Sequence, residues 1–142
     1  MKRVQDIMDD NPVTVSPATP VIEVARKMTE YKLEVILVCD NGKLKGVITE
    51  GDIVAGIVAS AQNPKRQEAR SLMRNSLPKA SPGSDTFSAA KIMARHQVHY
   101  VPVVQNGKLK GLLTLDHLVS ESLAAASLVL DRTQRQADAV PA

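Results

Sequence analysis

The stretch Asn41-Gly42-Lys43-Leu44-Lys45-Gly46 recurs letter for letter as Asn106-Gly107-Lys108-Leu109-Lys110-Gly111, about 65 residues further on. The same ungapped offset pairs Met8 with Met73 and Ser16-Pro17 with Ser81-Pro82. It also pairs Ala25 with Ala90, Met28 with Met93, Val38 with Val103, Thr49 with Thr114 and Val54 with Val119. Chance does not produce so many coincidences in one register. The chain is one supersecondary unit written twice, and each copy is expected to complete the hydrophobic core of the other.

Working outward from the repeated hexapeptide, Asn-Gly is the strongest short hairpin signal, because both turn residues need positive φ. β-formers precede it, Glu34 to Cys39 in one copy and His99 to Val104 in the other, and return strands follow at Lys45 to Ile48 and Lys110 to Leu113. Upstream, Val21, Val24, Ala25 and Met28 stand at helical spacing between Pro20 and Tyr31, with Thr19 in N-cap position before a first-turn proline. In the second copy Ser84 and Asp85 open the helix that carries Ala89, Ile92 and Met93. Short extended pieces, Val13 to Val15 and Lys79-Ala80, come before these helices, and a second helix starts at Thr49 or Thr114. The expected fold is α/β (α+β): strand, helix, strand, strand, helix, twice over. The first repeat spans 1–59, a polar linker around Pro64 spans 60–67, the second repeat spans 68–122, and a helical extension with a frayed tail spans 123–142. Pro102 inside a strand points to an edge position or a strand that ends early. After Thr114 one helix is expected to run on through Leu118, Val119, Leu123, Ala126, Val129 and Leu130. Leu123, Ala126 and Leu130 would form a face that covers the paired repeats or joins a second subunit. From Gln134 the chain reads as frayed.

Of the 142 residues 44% are hydrophobic and 23% charged, as in an ordinary soluble globular protein. Phe87, Tyr31 and Tyr100 are the whole aromatic set, so stacking platforms for single strands are not expected. The net charge of +3 comes from scattered lysines and arginines, not from the basic stripe that a nucleic-acid backbone requires. Cys39 lies in an apolar run and reads as a buried thiol. No apolar segment follows the first residues as in a signal peptide, and none approaches the ~20 residues of a membrane span. A cytoplasmic protein without membrane or nucleic-acid partners is expected.

In order, Asp6-Ile7-Met8, Pro12-Val13-Thr14-Val15-Ser16-Pro17 and Gly46-Val47-Ile48-Thr49-x-x-Asp52-Ile53 resemble the CBS (cystathionine-β-synthase-type) domain family. So do His96-Gln97-Val98-His99-Tyr100-Val101-Pro102-Val103-Val104 and Gly111-Leu112-Leu113-Thr114 in the second copy. The resemblance covers nearly all of residues 1–120 and identifies the chain as a stand-alone tandem pair, a Bateman module. It implies pseudo-symmetric repeats packed through their sheets, with two clefts. The ligands it implies are AMP, ADP, ATP or S-adenosylmethionine, none of them a required cofactor. It also implies a homodimer that regulates a protein the sequence does not name.

The Gly-x-x-Thr-x-x-Asp element has its own physical logic. A strand ends at Ile48, Thr49 caps the next helix, and the first-turn N–H groups suit a phosphate. Gly51 leaves room for a ligand, and Asp52 can accept from a ribose diol, its role in relatives that bind nucleotides. Equally, Thr-x-x-Asp is a capping arrangement that needs no ligand. By family analogy Leu77, Pro78 and Val98 line the adenine end of the Asp52 cleft. The phosphate ends fall near Glu34-Val35 and His99-Tyr100; Glu34 has the wrong sign for a polyphosphate and His99 is compatible with one. That composition favours AMP over ATP. The second cleft would take Pro12, Val13, Thr114, Asp116 and His117. There His117 replaces the ribose aspartate and Asp116 the glycine, so this cleft is expected to be degenerate. His96, His99 and His117 could together suit zinc or nickel, but His96 at a helix end reads as a turn residue and no metal is expected. No nucleophile elbow, phosphate-binding loop or zinc-protease motif occurs, so an enzyme is not expected. A ligand-sensing module leads; the alternative is a ligand-free scaffold that recruits a partner through the paired repeats and the C-terminal helix.

Overall fold

The computed structural model describes residues 2–139, with side chains described as far as residue 131. The chain forms two compact units, one of residues 13–77 and one of residues 1–12 with 78 onward. These units cut across the boundaries of the sequence repeats, because each repeat's opening segment packs with the strands of the other repeat. Met8 and Met73, one repeat offset apart, show it: Met73 lies over Gly46, and Met8 over Gly111.

In the 13–77 unit, β1 (Thr14–Val15) runs parallel to β2 (Val35–Asp40), which pairs antiparallel with β3 (Lys43–Thr49). The turn residues Asn41 and Gly42 both take positive φ, +52° and +78°, as a two-residue hairpin of this kind requires. A bulge falls between Val38 and Cys39. Helix α2 (Val21–Glu30) buries Val21, Val24 and Met28. Its N-cap is Pro20, not Thr19: the Thr19 hydroxyl instead accepts from the Ser16 N–H at 3.1 Å and closes the preceding turn. Residues read as a linker serve this helix, since the carbonyls of Gln67 and Pro64 accept the first-turn N–H groups of Val21 and Ile22. After β3 come α3 (Glu50–Ile53), a wider π-helical turn at Val54–Val58, and α4 (Ala69–Leu72). The core holds Val15, Val24, Met28, Ile36, Val38, Ile48 and Ala69. Cys39 is half-buried at the bulge, less deep than its apolar neighbours suggested, and burial pushes its thiol pKa up.

The other unit contains α1 (Val4–Ile7), α5 (Thr86–His96), the hairpin of β4 (Tyr100–Gln105) and β5 (Lys108–Thr114), α6 (Leu115–Glu121) and α7 (Leu123–Ala139). Val4 is fully buried there, its N–H donated to the Ser84 carbonyl at 2.8 Å. Pro102 lies mid-strand: β4 continues to Gln105, so it does not end early. Pro102 is paired to Leu112 of β5, and its carbonyl accepts from Ala80, which forms a single parallel bridge at Val103. The helix after Thr114 is not continuous. Ser122 is extended (φ −156°, ψ 95°) and its hydroxyl accepts from Ala125 N–H at 3.2 Å, so a new helix starts there. The face of α7 that packs on α5 and α6 is Ala125, Ala126 and Val129, while Leu123 is 70% exposed. The small residues let α7 approach closely. The backbone stays helical to Ala139, through the segment from Gln134 read as frayed; positions 140–142 of that tail lie outside the described residues.

Helix α5 starts with its own cap: Asp85 accepts the Ser88 N–H at 2.8 Å and the Ser88 hydroxyl at 3.0 Å. The bond from the Ser88 backbone, then that from its hydroxyl, holds the Asp85 carboxyl below its usual pKa. A lowered folded-state pKa adds stability above the unfolded value of about 3.9, lost as pH falls through the folded value. Thermal melts between about pH 6 and pH 2 should therefore show an acid-side loss that is smaller in Asp85→Asn, which keeps a capping oxygen without the charge; an unchanged acid limb contradicts this role.

Candidate functional site

Strand β3 ends in Gly46-Val47-Ile48-Thr49, and the segment after α4 lies across it. Val47 and Arg74 exchange both backbone hydrogen bonds, at 3.0 and 2.9 Å. A Cβ on Gly46 would come within 2.7 Å of the Arg74 carbonyl oxygen. This position tolerates glycine alone because backbone lies on backbone. The crossing fixes Arg74 next to the turn where β3 becomes α3.

At that turn Thr49 and Asp52 form a capping box. The Thr49 hydroxyl accepts the Asp52 N–H at 3.2 Å, and the Asp52 Oδ2 accepts the Thr49 N–H at 2.9 Å. The other carboxylate oxygen, Oδ1, accepts from Arg74 Nε at 2.9 Å and forms an ion pair with Nη2 at 2.8 Å. The Asp52 side chain is 10% exposed and that of Arg74 63%. The capping reading is thus realised, and the carboxylate also carries an ion pair. Gly51 is exposed, and a Cβ there would meet nothing nearer than the Thr49 hydroxyl at 3.8 Å. Glu50 donates its N–H to the Glu34 carbonyl, so two exposed glutamates stand at the start of α3.

The second repeat builds the same turn with different chemistry. Thr114 caps α6, and its N–H donates to His117 Nδ1 at 3.0 Å. The ring nitrogen does the work of the Asp52 oxygen. An Nδ1 that accepts leaves the proton of a neutral ring on Nε2, so the ring has no acceptor left for a hydroxyl. Asp9, one offset from Arg74, makes the matching backbone exchange with Leu112 at 3.0 and 2.9 Å, and its carboxylate accepts from Asn11 N–H. Asp116 is exposed. His99 is exposed and its carbonyl accepts the Leu115 N–H.

Of the residues read from the sequence, Thr49, Gly51 and Asp52 come together, as do Thr114, Asp116 and His117. Leu77 and Val13, both half-buried, belong to the unit of Asp52; Pro12, Pro78 and Val98, half-buried, belong with His99 to the unit of His117. A cavity of about 230 Å³ opens between α2 and α3 of the first unit, lined by Ala25, Met28, Thr29, Glu50, Ile53 and Val54. The residues one offset on from Ala25, Met28 and Ile53, namely Ala90, Met93 and Leu118, are fully buried in one cluster with Ala125, Ala126 and Val129 of α7. Among the described residues no three His, Cys, Asp or Glu side chains gather as metal ligands, and no helix is long and apolar enough to cross a membrane.

A family model described as the CBS domain matches the chain twice, at residues 4–59 and 69–124. The chain belongs to the CBS domain family. The tandem CBS pair is 28% identical over 127 residues to the CBS domain-containing protein YhcV of Bacillus subtilis, covering 89% of this chain and 90% of that one. It superposes with a TM-score of 0.81 and 27% identity on a conserved CBS domain protein of unknown function from Thermoplasma acidophilum, over 94% of this chain and 76% of that one. CBSX2, solved in complex with AMP, superposes with a TM-score of 0.77 and 26% identity, over 87% of this chain and 97% of that one.

Arg74 escaped the sequence reading of the CBS pair. Its signal was present as a double exchange under the repeat offset: where one repeat has Asp52 with Arg74, the other has His117 with Asp9. The two glycines of this site predict opposite outcomes. Gly46→Ala should lower stability by about 1–3 kcal/mol through overpacking. Gly51→Ala should leave it unchanged or raise it by up to about 1 kcal/mol, because open space surrounds that helical position. Denaturant melts of both variants check this, and equal losses would contradict the packing described.

Proposed function

We propose that this CBS pair is a regulatory module that binds an adenosine-containing ligand at the Thr49–Asp52 turn, AMP in preference to ATP, and signals by a change of shape or partner. One observation carries the proposal: a carboxylate held rigidly by its own cap stands beside an exposed glycine at Gly51, where a ligand has room to approach the backbone. The AMP complex of CBSX2, a relative of the same fold, supports the ligand class. Preference for few phosphates is supported by Glu34 and Glu50, whose like charges oppose a polyphosphate. The second repeat's turn is the poorer site in this reading, since His117 spends its acceptor on the Thr114 N–H.

The module is proposed to work as a homodimer. Support comes from the apolar surface the first unit leaves open, where Val54 is 58% and Val58 71% exposed. A ligand-free scaffold is the competing reading, and Arg74 favours it, because the Asp52 carboxylate already has protein partners on both oxygens.

Calorimetric titration with AMP, ADP, ATP and S-adenosylmethionine decides between them. Binding of AMP in the micromolar range at about one site per chain, lost in Asp52→Ala, is expected. Absence of heat with all four ligands would overturn the ligand reading and leave the scaffold. Separately, Val58→Glu should shift sedimentation from dimer to monomer without loss of helical circular dichroism; a dimer that survives the charge places the contact elsewhere.

A further inference from the structure

The Asp52 carboxylate offers about four hydrogen-bonding positions, two on each oxygen. Hydrogen bonds fill one position on each oxygen: Oδ2 accepts the Thr49 N–H, and Oδ1 accepts from Arg74 Nε. Arg74 Nη2, ion-paired at 2.8 Å, also lies against Oδ1, so the guanidinium crowds the oxygen that the cap leaves open. The two hydroxyls of a ribose need that oxygen uncovered. The Thr49 bond is part of the helix cap and part-buried, so it is the costlier to break. The Arg74 bonds involve a side chain that is 63% exposed, whose charge water can take up on release.

We infer that Arg74 is a latch on the Asp52 site: it occupies the carboxylate in the unliganded protein and must give up Oδ1 before a ribose diol can bind. The inference rests on the ligand reading above and adds a regulatory step to it. The latch is held in reach by the backbone exchange between Val47 and Arg74, which fixes the Arg74 main chain whichever way its side chain turns. The second repeat has no such device, because Asp9 stands where Arg74 would and His117 carries no carboxylate.

Adenosine, being uncharged, isolates the latch from phosphate electrostatics. Its affinity is measured by calorimetry for the full chain and for Arg74→Met, which keeps the aliphatic stem and loses every donor. Arg74→Met should bind adenosine about fivefold tighter, the scale of a largely exposed ion pair removed as competitor. Added salt should tighten adenosine binding to the unaltered chain, by weakening the ion pair, and leave Arg74→Met unchanged. Arg74→Met affinity equal to or weaker than that of the unaltered chain overturns the latch while the ligand reading stands. Failure of both proteins to bind adenosine or AMP overturns the latch and the ligand reading together.

Discussion

The Arg74 carbonyl rests on the Cα of Gly46, so close that no side chain fits between them. That single contact ties the segment after α4 to β3 and sets the Arg74 side chain beside Asp52. It also lays Met73 and Leu72 against the core, with Gly56 of the π-helical turn making room for Leu72. The other unit repeats the constraint with Asp9 over Gly111, where Met8 and the buried Val4 close its core. The glycine that opens each Gly-x-x-Thr element therefore serves backbone packing, whereas Gly51 at the turn has open space around it.

A shared scaffold with exchanged side chains makes the two repeats differ in kind. Both turns need an acceptor for the N-cap N–H, and both have one, an aspartate oxygen in one case and an imidazole nitrogen in the other. The carboxylate has acceptor capacity beyond the cap; the imidazole has none. The exchange of Asp52 for His117, with Arg74 for Asp9 and Gly51 for Asp116 beside it, thus gives the two turns different acceptor capacity on the same backbone frame. A similar divergence marks the helices: α7 buries Ala90, Met93 and Leu118, whereas their counterparts around Ala25, Met28 and Ile53 border an open cavity.

The fold was legible because the repeat supplied its own alignment. Asn-Gly turns, β-branched runs and the Asp85 cap are local signals, and each formed where its chemistry placed it. Local signals also misled. Thr19 before Pro20 looks like a cap, yet the carbonyls of Pro64 and Gln67 reach the first-turn N–H groups and free Thr19 for the turn with Ser16. Helical spacing extended through Ser122, where no breaker residue stands, although the chain turns there to lay Ala125, Ala126 and Val129 on α5 and α6. Leu123 and Leu130 then fall outside. At the site, Thr49 and Asp52 were legible as a motif, while Arg74 was not, since its approach depends on a backbone crossing made by residues 22 positions away along the chain.

The central claim, that the Thr49–Asp52 turn is where a ligand acts, is tested most directly by amide hydrogen exchange with and without AMP. The account predicts slowed exchange confined to residues 49–53 and 73–75, with the matching turn at Thr114–His117 little changed. Equal protection of the two turns, or AMP binding without protection at Thr49 to Ile53, would contradict it.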